Sequence, residues 1–319
     1  MRIVFMGTPD FAVGALEALI EAGHEITAVV TQPDKPKGRS KELQFPPVKE
    51  CALKHGLPVF QPRRIKTTEA VEELKKYVAD VYIVAAFGQI LSQEILDIPA
   101  YGCLNIHASL LPKYRGASPI QHVIIDGEAE TGVTIMQMDA GVDTGDMLYK
   151  KKVSIEDTDT FETLHDKLTV LGGEAIVEAL PLLEAGKLTP EKQQDELSCH
   201  APLIEKKMGK IHFGRSASEI DRQIRGMTPW PSAYTSYHGK QLKIWRAVPV
   251  AADEAVREID GVPVTPGAIT AVAKNYIEVA TGEGNLRIHE LQLEGKKRMS
   301  AHDFLLGVKV IPGELLGEV

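Results

Sequence analysis

Cysteine is scarce in this chain of 319 residues, and the three that occur, Cys51, Cys103 and Cys199, are far apart. An odd number of distant cysteines favours neither a disulfide framework nor a zinc cluster. Long apolar runs are also missing, since no stretch approaches the ~18 residues of a membrane-spanning helix. The amino terminus lacks the basic region and long apolar core of a signal peptide. We therefore expect a cytoplasmic protein without a membrane partner.

Several ligand-binding signatures are absent as well. Gly7-Thr8-Pro9 follows the first apolar run, but the further glycines of a dinucleotide-binding turn do not follow it. Neither the P-loop sequence G-x-x-x-x-G-K-S/T nor the zinc-binding sequence H-E-x-x-H occurs. Residues 139–146 contain three acids, but they lack the sixth-position glycine and closing glutamate of a calcium loop. The sequence therefore argues against a nicotinamide oxidoreductase and predicts no metal.

Strand-like and helix-like segments alternate over about the first 185 residues. Helical spacing of apolar residues begins at residue 10 and recurs over residues 71–78 and 161–183. Strand-like segments cover residues 3–6, 26–30, 81–86, 104–107 and 133–138. This alternation predicts an α/β domain with a mainly parallel sheet.

The second half of the chain has a different pattern. Periodicity is lost from residue 186 to 209, so we predict domains at 1–189 and 208–319 joined by a linker at 190–207. Beyond the linker, one short helix at 218–224 precedes short strand candidates at 241–245, 267–272, 276–280 and 286–293. Many short strands separated by glycines predict a smaller OB-like β-barrel domain.

Charge is distributed unevenly along the chain. The net charge of −8 by itself disfavours a nucleic-acid partner. Residues 201–319, however, include 16 basic and 14 acidic residues, which gives this part a net charge of +2. The rest of the chain has 20 basic and 30 acidic residues and a net charge of −10. This asymmetry indicates separate roles for the two halves, with random variation between domains as the alternative. The loop after the second strand adds four cations that can meet phosphates or lie on a solvated surface: Lys35, Lys37, Arg39 and Lys41.

Candidate catalytic residues cluster around one predicted strand. Asn105 and His107 lie two positions apart, so their side chains share one face near the strand's carboxyl end. An amide can hydrogen-bond an oxyanion and an imidazole can carry a proton, which suits acyl-type transfer. A core histidine satisfied by the backbone is the alternative. Asp143, in the acidic loop at 139–146, can present a carboxylate to this histidine, or it can belong to a solvated turn.

These motifs together resemble the methionyl-tRNA formyltransferases over nearly the whole chain. The Asn-x-His pair with the following SLLP and the later aspartate is specific for folate-dependent formyltransferases as a group. The QPDKPKGR loop and the WP sequence of the second domain narrow the resemblance to the tRNA enzymes. The matching segments are MGTPDF at 6–11, TQPDKPKGR at 31–39, FGQIL at 87–91, NIHASLLPKYRGASPIQ at 105–121, ETGVTIMQMDAGVDTGDML at 130–148, TPWPSAY at 228–234 and GKKRMSAHDFL at 295–305.

The resemblance implies a Rossmann-like catalytic domain, a linker and an OB-like carboxy-terminal domain. It implies 10-formyltetrahydrofolate as donor and the methionine amino group of initiator methionyl-tRNA as acceptor. By motif match, Asn105, His107 and Asp143 correspond to the catalytic residues of the family. The folate site would comprise Ser109, Leu110, Leu111 and Pro112, with Phe87, Gly88, Gln89, Ile90 and Leu91. Candidate tRNA contacts are Lys35, Lys37, Arg39 and Lys41, with Lys206, Lys207 and Lys210 after them.

Three alternatives remain at the level of sequence. A formyltransferase acting on a purine-precursor ribonucleotide or an amino-sugar nucleotide would share the catalytic domain, but the second domain and Pro-rich loop argue against it. A nicotinamide oxidoreductase would need the missing glycine fingerprint. A tRNA-binding module without catalysis would give no reason for the Asn–His–Asp set. We expect a monomer.

Overall fold

A computed structural model describes residues 1–36, 43–256, 258–259 and 261–317. The chain divides into two compact units. The first unit comprises Met1–Pro119, Glu130–Ser154 and His165–Pro202, and the second comprises Ile120–Ala129, Ile155–Leu164 and Leu203–Val319. The domain boundaries that we placed at residues 189 and 208 stay a prediction.

Strands and helices alternate through the first part of the chain. The strands are β1 (Arg2–Gly7), β2 (Glu25–Val30), β3 (Lys35–Pro36), β4 (Leu43–Gln44), β5 (Val59–Phe60), β6 (Val81–Ala85), β7 (Cys103–His107), β8 (Glu130–Gln137) and β9 (Met147–Ser154). The helices are α1 (Asp10–Glu21), α2 (Pro47–Lys54), α3 (Thr68–Leu74), α4 (Gln93–Leu96), α5 (Pro119–Asp126) and α6 (Phe161–Glu184). Within the described stretches, none of the helices has both the length and the apolar character that crossing a bilayer requires.

The main sheet of the first unit has the strand order β5-β2-β1-β6-β7-β8-β9. Pairing is parallel from β5 through β7 and antiparallel from β7 to β8 and from β8 to β9. Every residue of β6 and all of β1 after Arg2 are buried. Burial on both faces explains why these strands are continuous apolar runs in the sequence. The predicted α/β fold with a mainly parallel sheet is confirmed.

Strand β9 was not predicted from the sequence. It lies at the end of the sheet order and contains three consecutive lysines at 150–152. Edge strands tolerate such charges, because one backbone edge and much of the side-chain surface face water. The lysines pair with glutamates, as between Lys151 and Glu174 at 2.7 Å. A charged edge strand lacks the apolar alternation by which strands are recognised in a sequence.

The order of the sheet reverses between β1 and β6. From β1 the chain proceeds to β2 and β5 on one side and returns to β6 on the other. Open α/β sheets bind ligands outside the carboxyl ends of strands at such a reversal. Gly7 ends β1 opposite Ala85, and a Cβ added there would lie 2.6 Å from the Cβ of Ala12. Only glycine therefore allows the tight passage from β1 into α1 beside this crevice.

The second unit is rich in antiparallel strands. Its elements are α7 (Ala217–Gly226), β10 (Ala233–Tyr237), β11 (Lys240–Val250), β12 (Glu258–Ile259), β13 (Val262–Pro263), β14 (Ile269–Ala273), β15 (Tyr276–Ala280), β16 (Asn285–Leu293), β17 (Met299–Ser300) and α8 (Ala301–Gly307). The sheet runs β10-β11-β16-β15-β14, with β17 paired to β16. Ile220, Leu242, Ile288 and Phe304 belong to its buried core. The strand-rich second domain is confirmed, and its OB-like closure stays a prediction.

Candidate active site

Asn105 and His107 lie near the carboxyl end of β7, as the sequence predicts. Asn105 is opposite Val84 of β6 and His107 is opposite Thr134 of β8. The His107 side chain is buried, whereas Asn105 is half-buried. Within the described part of the chain, the side-chain amide of Asn105 makes no hydrogen bond. Its donors are therefore available to a ligand oxygen.

The two ring nitrogens of His107 face different groups. Nε2 lies 2.9 Å from the backbone carbonyl oxygen of Tyr114, and Nδ1 lies 3.7 Å from Oδ1 of Asp143. A carbonyl oxygen can only accept, so Nε2 carries the hydrogen that it donates to Tyr114. Nδ1 therefore accepts when the ring is neutral and carries a second proton, facing the Asp143 carboxylate, when the ring is charged.

Asp143 is held by hydrogen bonds to its side-chain carboxylate and to its backbone carbonyl oxygen. Its Oδ2 accepts a hydrogen bond of 2.8 Å from the backbone N–H of Gly116. Its carbonyl oxygen accepts another of 2.8 Å from Nε2 of Gln193. The backbone of Asp143 has φ 55°, a left-handed conformation that costs a non-glycine residue free energy and persists only when its surroundings impose it. These contacts direct Oδ1 towards His107.

The segment of residues 109–112 is fastened to β8 rather than open to solvent. Thr134 donates from Oγ1 to the carbonyl oxygen of Ser109 at 2.7 Å and accepts from the Leu111 N–H at 3.1 Å. The buried hydroxyl of Ser109 donates to the Lys113 carbonyl oxygen at 2.7 Å. Leu111 is buried in a small apolar cluster, whereas Leu110 and Pro112 are half-buried. Leu110 and Pro112 are therefore the members of this segment whose side chains remain partly accessible.

The segment of residues 87–91 alternates between anchored and accessible positions after β6. Phe87 and Leu91 are buried in the apolar core of the first unit. The amide of Gln89 bonds to backbone groups at residues 62 and 65. Gly88 is exposed with φ 81°, and Ile90 is 60% exposed. Among these candidate folate residues, Gly88 and Ile90 present the most accessible surface.

Comparison with known proteins identifies the family. The family model described as "Formyl transferase" matches residues 1–180, and that described as "Formyl transferase, C-terminal domain" matches residues 203–309. The methionyl-tRNA formyltransferase of Lachnospira eligens is 52% identical over 318 residues, covering all of both chains. That of Geotalea uraniireducens is 49% identical, covering all of this chain and 98% of the relative. The chain belongs to the methionyl-tRNA formyltransferase family. Its enzyme class and the family resemblance seen in its motifs are confirmed.

Two solved structures, a sugar formyl transferase and HypX, share the fold of this enzyme. The sugar 3N-formyl transferase WlaRD, solved in the presence of dTDP and 5-N-formyl-THF, superimposes with a TM-score of 0.66 at 20% identity. The match covers 93% of this chain and 99% of WlaRD. HypX from Aquifex aeolicus, in complex with tetrahydrofolic acid, gives a TM-score of 0.62 at 18% identity and covers 96% of this chain and 47% of HypX. At these identities the likeness concerns the fold alone.

The predicted tRNA-binding cations lie on exposed surfaces where the structure describes them. Lys35 is exposed on β3, while Lys37, Arg39 and Lys41 lie outside the described residues. Lys206 and Lys207 begin a short 3₁₀ helix, Lys206–Gly209, and Lys207 pairs with Glu205 at 2.9 Å. Lys210 follows that helix and is exposed. Their participation in tRNA binding stays a prediction.

Sequence reasoning missed the residues that hold the candidate catalytic groups in place. Tyr114 holds His107 through its backbone carbonyl oxygen, and Gln193 lies in the predicted linker, where its polar neighbours suggest no specific role. Residues 191–201, which we call the strap, follow α6 and bond to the loop after β7. Arg115 donates its N–H to the Cys199 carbonyl oxygen at 2.9 Å and accepts from the Ala201 N–H at 2.7 Å. No local sequence signal marks these contacts, because they join distant parts of the chain.

A separate group of possible metal ligands lies between α1 and α2. One ligand atom each from Glu17, Cys51 and His55 lies within 4.8 Å of the others. Glu17 already pairs with His55 at 2.7 Å and with Lys54 at 3.2 Å. Burial raises the pKa of the Cys51 thiol to about 12, which keeps it protonated. The group is an ion-pair and hydrogen-bond cluster, and the expectation that the reaction uses no metal stays a prediction.

Proposed function

We propose that this enzyme transfers the formyl group of 10-formyltetrahydrofolate to the α-amino group of methionine on initiator methionyl-tRNA. The observation that carries the proposal is the arrangement of Asn105, His107 and Asp143 beside the sheet reversal. An available amide donor lies next to an imidazole whose second nitrogen faces a carboxylate. This set suits acyl-type transfer to an amine. Full-length relatives at about half identity carry the same activity in their names.

The chemical task is to stabilise a tetrahedral intermediate and to move one proton. The α-amino group has a pKa of about 8, so a useful fraction is neutral and nucleophilic near pH 7. The new N–C bond forms as the formyl oxygen gains negative charge, and the bond to the folate nitrogen then breaks. Asn105 and the protonated Nδ1 of His107 hold the developing oxyanion. Asp143 orients His107 and helps to move the proton from the attacking to the leaving nitrogen.

The donor would lie against the segments that follow β6 and β7. These strands are parallel neighbours, so residues 87–91 and 109–112 leave the sheet at the same edge. Gly88 and Ile90 offer accessible surface after β6, and Leu110 and Pro112 offer partly accessible apolar surface after β7. Such surfaces suit a flat ring. Ser109, Leu111, Phe87, Gln89 and Leu91 would shape the site by anchoring its backbone.

The acceptor would be held by cations outside the catalytic triad. Lys35, Lys37, Arg39 and Lys41 would contact the acceptor end, and Lys206, Lys207 and Lys210 would contact phosphates elsewhere on the tRNA. The second domain would be an OB-like barrel, in line with its antiparallel strand-rich sheet. We further propose that the enzyme is a monomer and that it uses no metal. It would act in the cytoplasm, where charged initiator tRNA is present.

A panel of acceptors tests this function directly. The full-length protein, with 10-formyltetrahydrofolate as donor, should formylate charged initiator methionyl-tRNA and leave an amino-sugar nucleotide and a purine-precursor amine unmodified. Activity should persist in a chelator once the magnesium needed for tRNA folding is restored. Preference for either small acceptor would overturn the proposed function. If chelation abolished activity and zinc alone restored it, the proposal that the enzyme uses no metal would be wrong.

A further inference from the structure

The strap makes its most specific contact with the loop that carries Asp143. The side-chain amide of Gln193 donates both of its hydrogens, one to the Asp143 carbonyl oxygen and one to that of Gly145, each at 2.8 Å. Its Oε1 accepts from Nε of Arg115 at 2.9 Å. One half-buried side chain thus joins the acidic loop to the loop that follows β7.

Asp143 is bonded through its side chain as well as through its backbone. Gly116, next to Arg115, donates its N–H to Oδ2 of Asp143 at 2.8 Å. Arg115 is itself fixed to the strap through Asp195, at 2.9 Å from its Nη2. Gln193 therefore holds the backbone of Asp143 directly and holds the loop that orients its carboxylate through Arg115.

The backbone conformation of Asp143 makes such support necessary. A non-glycine residue at φ 55° lies in the sparsely populated left-handed region, which persists only when the surrounding structure imposes it. Asp139 caps the same turn by accepting from the Gly141 N–H at 3.0 Å and from Thr144 Oγ1 at 2.8 Å. That cap shapes the turn, but it does not join the turn to the loop beside His107. The turn is also joined to β8 by the hydrogen bond from the Gln137 N–H to the Asp146 carbonyl oxygen at 2.8 Å. The bonds from Gly116 and Gln193 add direct links between the turn and the loop beside His107.

We propose that Gln193 is a positioning residue for the formyl transfer, acting on His107 through Asp143. The proposal rests on the function proposed above. It assigns a role in the chemical step to the strap, a segment whose sequence is typical of a linker. Because Gln193 touches neither reacting group, its loss should lower kcat and leave substrate binding unchanged.

The test uses the full chain with three variants. Gln193→Ala should lower kcat by roughly 10- to 100-fold, because misplacement of about 1 Å in a catalytic group costs up to that factor, while the KM for both substrates stays within about twofold. Gln193→Glu keeps the size and the acceptor for Arg115 but loses both amide hydrogens, so it should lose at least as much kcat. Gln194→Ala changes the exposed neighbouring glutamine and should match the wild type.

A double-mutant cycle separates positioning from general support of the fold. If Gln193 acts through Asp143, then Gln193→Ala introduced into Asp143→Ala should lower kcat less than about twofold further. Wild-type kcat in Gln193→Ala, full activity in Gln193→Glu, or additive losses in the double variant would each overturn the proposal. Failure of the proposed function is distinguishable, since it would appear as a wild-type enzyme that prefers a small acceptor to charged initiator tRNA. An Asp143→Ala variant that retains full activity would overturn the role of Asp143, and with it this proposal.

Discussion

For single residues, the orientation of the His107 ring is set by its neighbours. The Tyr114 carbonyl oxygen engages Nε2, so Nδ1 is the ring nitrogen that faces Asp143. Asn105 supplies a neutral donor from the same strand face. A fixed imidazole and a preorganised amide need little rearrangement when charge develops, which is the physical basis of oxyanion stabilisation.

Removal of either group should therefore impair turnover more than binding. We expect His107→Ala and Asn105→Ala each to lower kcat by roughly 10²- to 10⁴-fold, the usual range for a general acid or an oxyanion donor. Folate affinity, measured by fluorescence titration, should change little. His212→Ala removes an exposed histidine of the second unit and serves as the matched control. Turnover within a few-fold of the wild type in both active-site variants would contradict the mechanism.

At the scale of the element, helix α7 begins with a reciprocal cap. Ser216 Oγ accepts from the Glu219 N–H at 3.3 Å, and Glu219 Oε2 accepts from the Ser216 N–H at 2.9 Å. The backbone and hydroxyl donors of Ser216 lower the pKa of Glu219 to about 2. Two of the donors left unpaired at a helix start are thereby satisfied.

This cap gives a pH-dependent prediction. Because the folded-state pKa of Glu219 is lowered, the stabilisation by its carboxylate is fully present above its ordinary value of 4.5 and is lost as the pH falls towards about 2. Thermal unfolding should show Glu219→Gln less stable than the wild type at pH 7, with a difference that shrinks between these two values.

Substitution of Ser216, the other partner of the cap, provides a second measure of how much the cap stabilises α7. Ser216→Ala should lower the free energy of unfolding by about 1 kcal/mol, the usual cost of losing a serine N-cap. Ser218→Ala changes an exposed serine inside the same helix and should be neutral or slightly stabilising. Equal effects of the two serine substitutions would show that the cap does not stabilise α7.

At the scale of the whole molecule, an acidic enzyme must hold a polyanion. The net charge of −8 repels tRNA at long range, but this repulsion is screened beyond about 8 Å at physiological salt. Binding must then depend on local groups of cations. Counter-ions released from phosphates by such groups give the affinity its salt dependence.

Neutralising the lysines that follow the strap should flatten that dependence. The triple alanine variant at Lys206, Lys207 and Lys210 should lower tRNA affinity and reduce the log–log salt slope by somewhat under one unit for each phosphate that these lysines neutralise. A triple alanine variant at Lys54, Lys66 and Lys76 makes the same change in net charge at exposed positions without a predicted tRNA role. Equal slopes in the two variants would mean that overall charge, rather than a local group of cations, controls binding.

The Pro-rich loop gives a separate expectation. Arg39→Ala should raise the KM for charged tRNA far more than the KM for the folate donor, because a guanidinium engages phosphate or a base edge in bidentate fashion. Steady-state kinetics with each substrate varied in turn provides the measurement. A variant whose two KM values changed alike would contradict a direct role of Arg39 in tRNA recognition.

Elements whose burial is uniform or periodic could be predicted from the amino-acid sequence. Strands β1 and β6 were predicted because both faces of a central parallel strand are buried, which leaves a run of apolar residues. Asn105 and His107 were found because a strand places alternate residues on one face. The family was evident from motifs spread over both halves of the chain.

The groups from distant parts of the chain that complete the site became apparent from the fold. Asp143 could be named from its motif, but its contacts with Gly116 and Gln193 join loops that are far apart in sequence. The charged edge strand β9 and the strap were missed for a related reason, since polar segments carry no burial pattern. Burial of one face of a helix or strand produces a periodic pattern of apolar residues in the sequence. A hydrogen bond between a side chain and a distant backbone carbonyl produces no such pattern.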